Sequence, residues 1–243
     1  MTTGTLFGIG VGPGDPELIP IKAIRILGGV DRVFTAASTK NDYSLAVEIA
    51  RGHIPEHTVI EKLKFPMCRE RVVMEEAWRH NAGRIAGILE SGQNAAFLTL
   101  GDPLTYSTYG YILRHLQAGW PHLAVVTIPG ITSYQAAAAS TNQPLVEGEE
   151  SLLIMSGVHG GERFARMPEK PDNVVFLKAY RNVGGICHAL ESADMRGGSL
   201  AVVNCSRADE KIIKDLGLLR QQQPNYWTLI IARQKRHDIT EKS

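Results

Sequence analysis

The chain has 243 residues, of which 44% are hydrophobic and 21% are charged, and its formal net charge is +1. This length suits one large α/β domain or two domains of roughly 120 residues, and the near-neutral charge gives no support to nucleic-acid or membrane-surface binding. No run reaches the roughly 20 apolar residues of a spanning helix, and the N-terminus lacks signal-peptide character. We therefore expect a cytoplasmic protein with no nucleic-acid or membrane partner.

The first half of the sequence alternates strand and helix patterns. Strands are predicted at 6–11, 30–36, 58–63 and 95–100, and helices at 19–27, 45–51, 70–89 and 109–116. Gly119 and Pro121 close the last of these helices, and the pattern then restarts. The first domain is therefore predicted to span residues 1–118 and the second residues 119–243.

The second half continues the alternation. Strands are predicted at 123–128, 152–155, 174–179, 200–205 and 227–232, and helices at 134–139, 187–192 and 210–221. Strands that alternate with helices throughout indicate largely parallel sheets. The predicted fold class is therefore α/β, with two α/β domains.

Three segments that contain glycine begin at or directly after the ends of predicted strands. They are Gly10-Val-Gly-Pro-Gly-Asp-Pro16, Leu100-Gly-Asp-Pro103 and Pro129-Gly-Ile-Thr-Ser133. In an open α/β sheet, ligands bind at the carboxyl ends of the strands. Glycine allows close approach of the backbone to a ligand, and an aspartate carboxylate accepts hydrogen bonds. Each loop taken alone also fits a simple structural turn or a helix cap.

Two common nucleotide motifs do not fit these loops. In Gly-x-Gly-x-x-Gly read from Gly8, the third glycine position is Pro13, and read from Gly10 it is Asp15. The second strand also lacks the terminal acidic residue that would hold a ribose hydroxyl. A nicotinamide-dependent oxidoreductase stays as an alternative, whereas no phosphate-loop motif occurs. The cysteines and histidines show no metal-ligand spacing, so we predict no metal site.

Taken together and in this order, the three loops resemble those of the tetrapyrrole methylase family. The resemblance implies two α/β domains with an interdomain cleft, S-adenosylmethionine as cofactor with S-adenosylhomocysteine as its product, and a homodimer. Further segments are similar to the branch of the family that methylates C20 of precorrin-2 or, in its cobalt-dependent version, of cobalt-factor II or cobalt-precorrin-2. They are Phe65-Pro66-Met67, 101–111, 136–139, Pro144-Leu145 and 226–231.

This resemblance leaves other functions open. Methylation of a similar corrin-pathway macrocycle at C2/C7, C11 or C17 is the alternative within the family. A tetrapyrrole carrier that does not turn over the methyl donor is the non-enzymatic alternative.

The family's cofactor site implies residues in both predicted domains. The methionine end is expected to contact Pro13, Leu100, Gly101, Asp102, Thr105, Tyr106, Thr132 and Ser133. The adenosine is expected to contact Lys178, Ala179, Thr228 and Leu229. Lys178 departs from the small or apolar residue of related enzymes, which leaves the role of its side chain open.

No catalytic residue is assigned from the sequence. The sulfonium methyl is already a strong electrophile, so catalysis is expected to come from holding it in line with the ring carbon. A general base would matter only for the proton lost afterwards. The candidates, each of which also fits a packed or surface role, are Tyr106, Tyr109, Tyr111, His80 and His115.

The substrate carries several carboxylates around a flat apolar ring, which calls for basic groups at its binding site. Residues 62–71 combine basic and apolar side chains at the end of the third predicted strand. We predict that Lys64 and Arg69 bind the tetrapyrrole. A solvated basic loop without a ligand is the alternative.

Overall fold

A computed structural model describes residues 2–38, 44–66, 68, 70–219, 221, 222 and 224–234. The chain divides into two compact units, Met1–Thr132 and Ser133–Ser243, and each contains a five-stranded sheet. The α/β fold class is confirmed. The boundary differs from the predicted division at 118/119, because the strand that follows residue 119 pairs with the first strand of the first sheet.

The first unit is built on a parallel sheet. Its strands are β1 (Thr5–Gly10), β2 (Arg32–Ser38), β3 (Val59–Phe65), β4 (Ala95–Thr99) and β5 (Ala124–Ile128). Its helices are α1 (Ile21–Leu27), α2 (Leu45–Ala50), α3 (Arg71–Glu90) and α4 (Tyr109–Gly119). The strand order is β3-β2-β4-β1-β5, and every pairing is parallel, as predicted for this half of the chain.

Strand β4 lies at the centre of this sheet and is buried along its whole length. Its successive residues point to opposite faces: Phe97 belongs to a core cluster with residues of α3 and α4, and Leu98 to a cluster with residues of α1 and α2. A strand covered by helices on both faces is a continuous apolar run, which is why its position was predictable. Its carboxyl end therefore delivers Gly101 and Asp102 to the middle of the sheet edge.

The second unit contains a mixed sheet. Its strands are β6 (Leu152–Ser156), β7 (Asn173–Leu177), β8 (Leu200–Val203), β9 (Lys211–Ile213) and β10 (Thr228–Arg233). Its helices are α5 (Ser133–Thr141), α6 (Glu162–Ala165), α7 (Val183–Ser192) and α8 (Leu216–Leu219). The order is β6-β7-β10-β8-β9. Only β6 and β7 pair in parallel, so the prediction of a largely parallel sheet is wrong here.

The helix predicted at 210–221 is also wrong, because this segment forms strand β9 and the short helix α8. The loop that connects β8 to β9 is closed by the side chain of Asn204, whose amide donates to the Asp209 carboxylate at 2.7 Å. This short loop reverses the chain and places Lys211 opposite Val203 in an antiparallel pair. Backbone pairing with β8 thus overrides the local helical pattern.

Candidate functional site

The three predicted glycine loops meet at the carboxyl edge of the first sheet. Strand β1 pairs with β4 on one side and with β5 on the other, so the ends of these three strands are neighbours. Beyond the strands, Gly12 N–H donates to the Gly101 carbonyl at 3.4 Å, and Gly101 N–H donates to the Gly12 carbonyl at 2.7 Å. The structure therefore joins the first two loops directly through their backbones.

Gly10, Gly101 and Gly130 pack backbone against backbone at this edge. A Cβ atom on Gly10 would lie 2.4 Å from the Gly101 carbonyl oxygen, and one on Gly130 would lie 2.2 Å from the same oxygen. Neither position has room for a side chain. Gly101 also has a φ of +67°, which favours glycine. Gly10 and Gly130 were not predicted as site residues, although their repetition in each loop after a strand is a signal that could have identified them.

Asp102 ties the loop after β4 to the loop after β5. Its Oδ1 accepts hydrogen bonds from the Leu104 N–H at 2.9 Å and the Thr105 hydroxyl at 3.2 Å. Its Oδ2 accepts a hydrogen bond from the Gly130 N–H at 3.2 Å. A carboxylate has about four acceptor positions, so Asp102 fixes both loops and retains capacity for a ligand's donor group.

The other predicted residues of the first unit surround these loops. Pro13 and Thr132 are buried, and the Leu100 side chain packs against the core cluster that contains residues of α1 and α2. A ligand would therefore contact the backbone of these residues rather than their side chains. Tyr106 is 53% exposed and has a φ of +51°. Non-glycine residues in this left-handed region carry strain and cluster at functional sites. Ser133 begins α5 in the second unit.

The four residues predicted to contact adenosine adjoin one another in the second unit. Because β10 runs antiparallel to β7 and β8, its first residue lies beside the ends of both strands. Ala179 N–H donates to the Thr228 carbonyl at 2.8 Å, and Lys178 directly precedes Ala179. Leu229, the next residue along β10, is buried and pairs with Leu177. The structure thus places the four predicted residues along one edge of this sheet.

Thr228 offers a polar group that a ligand could satisfy. Its side chain is only 1% exposed, and its hydroxyl has no hydrogen-bond partner within the part of the chain that the structure describes. Buried hydroxyls without a partner are unfavourable and call for an explanation. A bound nucleoside has several hydrogen-bonding groups, and one of them could pair with this hydroxyl.

Backbone strain is concentrated at the same edge of the second sheet. Lys178, Asn204 and Ser206 have φ values of +59°, +54° and +60°. Asn204 is held by Asp209 and by Asn225, whose side-chain amide donates to the Asn204 side-chain oxygen at 2.9 Å. Asn204 and Asn225 were not predicted as site residues. An asparagine directly after a buried strand could have drawn attention to this turn, because asparagine tolerates the left-handed region.

Tyr109, one of the candidate general bases, is a core residue. It is fully buried, its hydroxyl lies 2.9 Å from the Thr127 hydroxyl, and burial raises the pKa of its phenol. Gly8 makes room for the ring, since a Cβ atom there would lie 2.1 Å from Tyr109 Cζ. Tyr109 therefore packs under the loops and does not present its hydroxyl to a ligand.

Among the remaining candidates, only Tyr106 belongs to the loops described above. The ring of Tyr111 stacks on Trp78 with centroids 3.9 Å apart. His115 Nε2 lies 3.3 Å from a carboxylate of α3, and His80 is exposed on that helix. These three side chains thus have packing or surface roles on α3 and α4.

The predicted substrate residues lie at the end of β3. Lys64 has an exposed side chain, and its backbone carbonyl accepts a hydrogen bond from the Asn81 amide at 2.9 Å. Arg69 and Met67 lie outside the described residues. The ammonium of Lys64 forms no ion pair with any carboxylate of the described ranges and is available to an anionic ligand.

Neither a metal centre nor a membrane span is found in the portion of the chain that is described. No group of three or more His, Cys, Asp or Glu side chains there could hold a metal ion. No described helix combines the length and apolar character needed to cross a bilayer. Cys68 is exposed, whereas Cys187 and Cys205 are buried.

Comparison with known proteins gives a consistent result. The family model "Tetrapyrrole (Corrin/Porphyrin) Methylases" matches residues 5–218. The cobalt-precorrin-2 C(20)-methyltransferase of Salmonella typhimurium is 29% identical over 230 residues, which cover 94% of this chain and 96% of the relative. The precorrin-2 C(20)-methyltransferase of a Sinorhizobium species is 30% identical over 200 residues, 78% of this chain and 79% of the relative.

A solved structure supports the fold. Uroporphyrin-III C-methyltransferase from Thermus thermophilus, complexed with S-adenosyl homocysteine, matches with a TM-score of 0.64 at 24% identity. The match covers 95% of this chain and 97% of that one. At this level of identity the likeness shows a common fold.

Proposed function

The chain belongs to the tetrapyrrole methylase family, and we propose that it transfers a methyl group from S-adenosylmethionine to C20 of precorrin-2, or of cobalt-factor II or cobalt-precorrin-2, in corrin-ring biosynthesis. The observation that carries this proposal is the similarity to two C20-methyltransferases over most of the chain. The family match includes all three glycine loops. The protein is accordingly a methyltransferase.

The residues present fit the cofactor. We infer that the methionine end is held by Pro13, Leu100, Gly101, Asp102, Thr105, Tyr106, Thr132 and Ser133, and the adenosine by Lys178, Ala179, Thr228 and Leu229. The support is the close-packed glycine backbone, the remaining acceptor capacity of Asp102 and the buried Thr228 hydroxyl, which has no hydrogen-bond partner among the described residues. When bound, S-adenosylmethionine supplies an electrophilic methyl group.

Positioning is the main contribution that we assign to the protein. Asp102 holds the loops after β4 and β5 in fixed relation, so the Gly101 backbone meets a ligand without rearrangement. Replacement of the hydrogen at C20 by methyl releases one proton, which water can accept. Tyr106 is the candidate base that belongs to these loops, and the others have the packing or surface roles described above.

The proposal extends to the substrate contacts and to the oligomeric state. Lys64 is exposed at the end of β3 and suits a substrate carboxylate, and Arg69 follows it in the same basic segment. We further propose that the enzyme acts in the cytoplasm as a homodimer, which the family resemblance implies. Light scattering on the purified protein measures the oligomeric state.

The proposed function is tested by anaerobic incubation with methyl-labelled S-adenosylmethionine and either precorrin-2 or cobalt-factor II. We expect NMR to locate the new methyl group at C20, and the two parallel reactions show whether cobalt must already be in the ring. A methyl group at C2, C7, C11 or C17 would assign another corrin-pathway reaction. Binding of the pigment without methyl transfer would indicate a carrier, and tight binding of NAD without S-adenosylhomocysteine binding would indicate an oxidoreductase.

A further inference from the structure

Three aromatic rings and two cations form a cluster at the ligand edge of the second unit. The rings of Tyr180 and Tyr226 are 5.7 Å apart, and those of Tyr226 and Trp227 are 5.0 Å apart, both with edge-to-face geometry. The Lys178 ammonium lies 5.2 Å from the centroid of Tyr226, and the Arg181 guanidinium lies 5.3 Å from that of Tyr180. We call these five residues the aromatic–cation patch.

The patch is accessible to a ligand. Tyr226 is 36% exposed and Trp227 38%, although large aromatic side chains usually gain by burial. Arg181 is exposed, and Lys178 is partly exposed. Neither cation forms an ion pair with a carboxylate anywhere in the described part of the chain. Internal charge pairing therefore does not account for these two cations.

The position of the patch links it to the proposed chemistry. Lys178 and Tyr180 flank Ala179, whose N–H contacts the Thr228 carbonyl, and Tyr226 and Trp227 lead directly into Thr228. Lys178 also has the positive φ that marks this edge. The backbone of residues 178 and 179 thus faces the start of β10, while the Lys178 side chain lies over the Tyr226 ring.

The positive charge of this surface distinguishes between the two candidate ligands, S-adenosylmethionine and a tetrapyrrole. S-adenosylmethionine carries a sulfonium and an ammonium against one carboxylate, so two protein cations with no ion pair among the described residues do not favour it. A tetrapyrrole of the proposed substrate class is flat and apolar in its ring and carries several carboxylates at its rim. Aromatic side chains suit the ring, and Lys and Arg suit the carboxylates.

We propose that the aromatic–cation patch binds the tetrapyrrole substrate, with Tyr226 and Trp227 against the macrocycle and Lys178 and Arg181 paired with its carboxylates. This inference rests on the proposed function and extends it to residues of the second unit. It also gives the Lys178 side chain a role distinct from the backbone contact with adenosine. A cation at this position serves the substrate.

The test compares the equilibrium binding of two ligands by Arg181→Gln, Trp227→Leu and wild type. We expect the Kd for cobalt-factor II, measured by its absorbance change, to rise about tenfold in each variant, because Arg181→Gln removes one charge-assisted contact and Trp227→Leu removes one aromatic contact with the ring. The Kd for S-adenosylhomocysteine, measured by calorimetry, should stay within about twofold of wild type. Arg181 is exposed, so its variant keeps the test valid even if Trp227→Leu disturbs folding.

Lys214→Gln is the matched control. Lys214 is exposed and follows β9, which runs antiparallel to β8, so it lies at the opposite edge of the sheet from the patch. Its substitution removes one positive charge from the same unit. We expect both dissociation constants to match those of wild type, which would separate local contact from a general effect of charge.

Three results would overturn the inference, and each has a different consequence for the proposed function. Unchanged binding of cobalt-factor II by folded Arg181→Gln and Trp227→Leu overturns the inference and leaves the proposed function standing if wild type methylates C20. A raised Kd for S-adenosylhomocysteine alone also overturns it and assigns the patch to the cofactor. A wild-type protein that binds neither ligand overturns the inference and the proposed function together.

Discussion

The backbone N–H of Gly130 donates a hydrogen bond of 3.2 Å to the Asp102 carboxylate, which joins two loops that follow different strands. The other carboxylate oxygen holds Leu104 and Thr105 of its own loop. Since β4 and β5 flank β1, this one side chain sets the relation between the loops that follow the two neighbours of β1. Asp102, which is predicted to bind the cofactor, therefore also stabilises the arrangement of these loops.

Asp102→Asn is expected to weaken cofactor binding more than it alters the pH profile. The asparagine side chain keeps one acceptor oxygen, but its NH2 group replaces the other. That NH2 group would face a backbone N–H of either Gly130 or Leu104, and two donors cannot form a hydrogen bond with each other. Loss of a hydrogen bond to a charged group corresponds to about 1.5–3 kcal/mol, so we expect the Kd for S-adenosylhomocysteine, measured by calorimetry, to rise about tenfold to a hundredfold. Normal affinity together with a shifted pH optimum of kcat would instead place Asp102 among the acid–base residues.

Gly130→Ala is expected to destabilise the first unit. The new Cβ would overlap the Gly101 carbonyl and the Gly10 backbone, which cannot move aside as a flexible side chain can. We expect the free energy of unfolding to fall by about 1–3 kcal/mol, as for other overpacked sites, with a loss of S-adenosylhomocysteine binding.

Gly87→Ala is the control for that substitution. Gly87 is exposed within α3 and has nothing within 4 Å of its added Cβ, so alanine should raise stability by about 0.5–1 kcal/mol through helix propensity. Chemical denaturation measures both changes. Equal stability of Gly130→Ala and wild type would contradict the close packing of the three glycines.

The first sheet was predictable because its signals are local. Ala95–Thr99 is a continuous apolar run, and amphipathic α3 precedes it. In the second sheet, β9 has only three residues, two of them exposed, and its existence depends on pairing with β8. Strand direction there is set by such long-range pairing, which alternation of elements does not encode.

The candidate site divides in the same way. The position of Asp102 at the carboxyl edge of the first sheet could be predicted, because its loop directly follows the buried strand β4. The contact between Gly10 and Gly130 depends on the register of β1 with β5, and a single sequence does not specify that register. The same holds for the aromatic–cation patch, whose members come from two strand ends distant in sequence.

Tyr109→Phe is expected to leave catalysis intact. The substitution removes a buried hydroxyl and leaves Thr127 without that partner, so we expect stability to fall by about 1 kcal/mol. Because the Tyr109 hydroxyl is enclosed in the core, kcat and its pH dependence should match those of wild type. A large fall in kcat at unchanged KM would return Tyr109 to the list of general bases.

Cys205 is expected to make stability fall in alkaline solution. Burial, with a smaller effect of the nearby Glu210 carboxylate, raises the pKa of its thiol from 9.0 to about 12. Above pH 9 the unfolded chain loses this proton while the folded chain keeps it, so the contribution to stability is complete below pH 9 and is lost as the pH rises toward 12. The stability difference between wild type and Cys205→Ala should therefore shrink over this range in urea titrations; a constant difference would contradict the raised pKa.

The pair Lys64→Ala and Arg69→Ala, made together, is expected to raise the KM for the tetrapyrrole about five- to tenfold and to leave the Kd for S-adenosylhomocysteine unchanged. The reason is the proposed pairing of these two cations with substrate carboxylates, and the difference from wild type should shrink at high ionic strength because salt screens such charge pairs. Arg51→Ala is the control, since Arg51 is exposed at the end of α2, at the opposite edge of the sheet. Unchanged substrate kinetics in the double variant would show that residues 62–71 form a solvated basic segment, and tetrapyrrole recognition would then rest on other cations, with Lys178 and Arg181 the first to test.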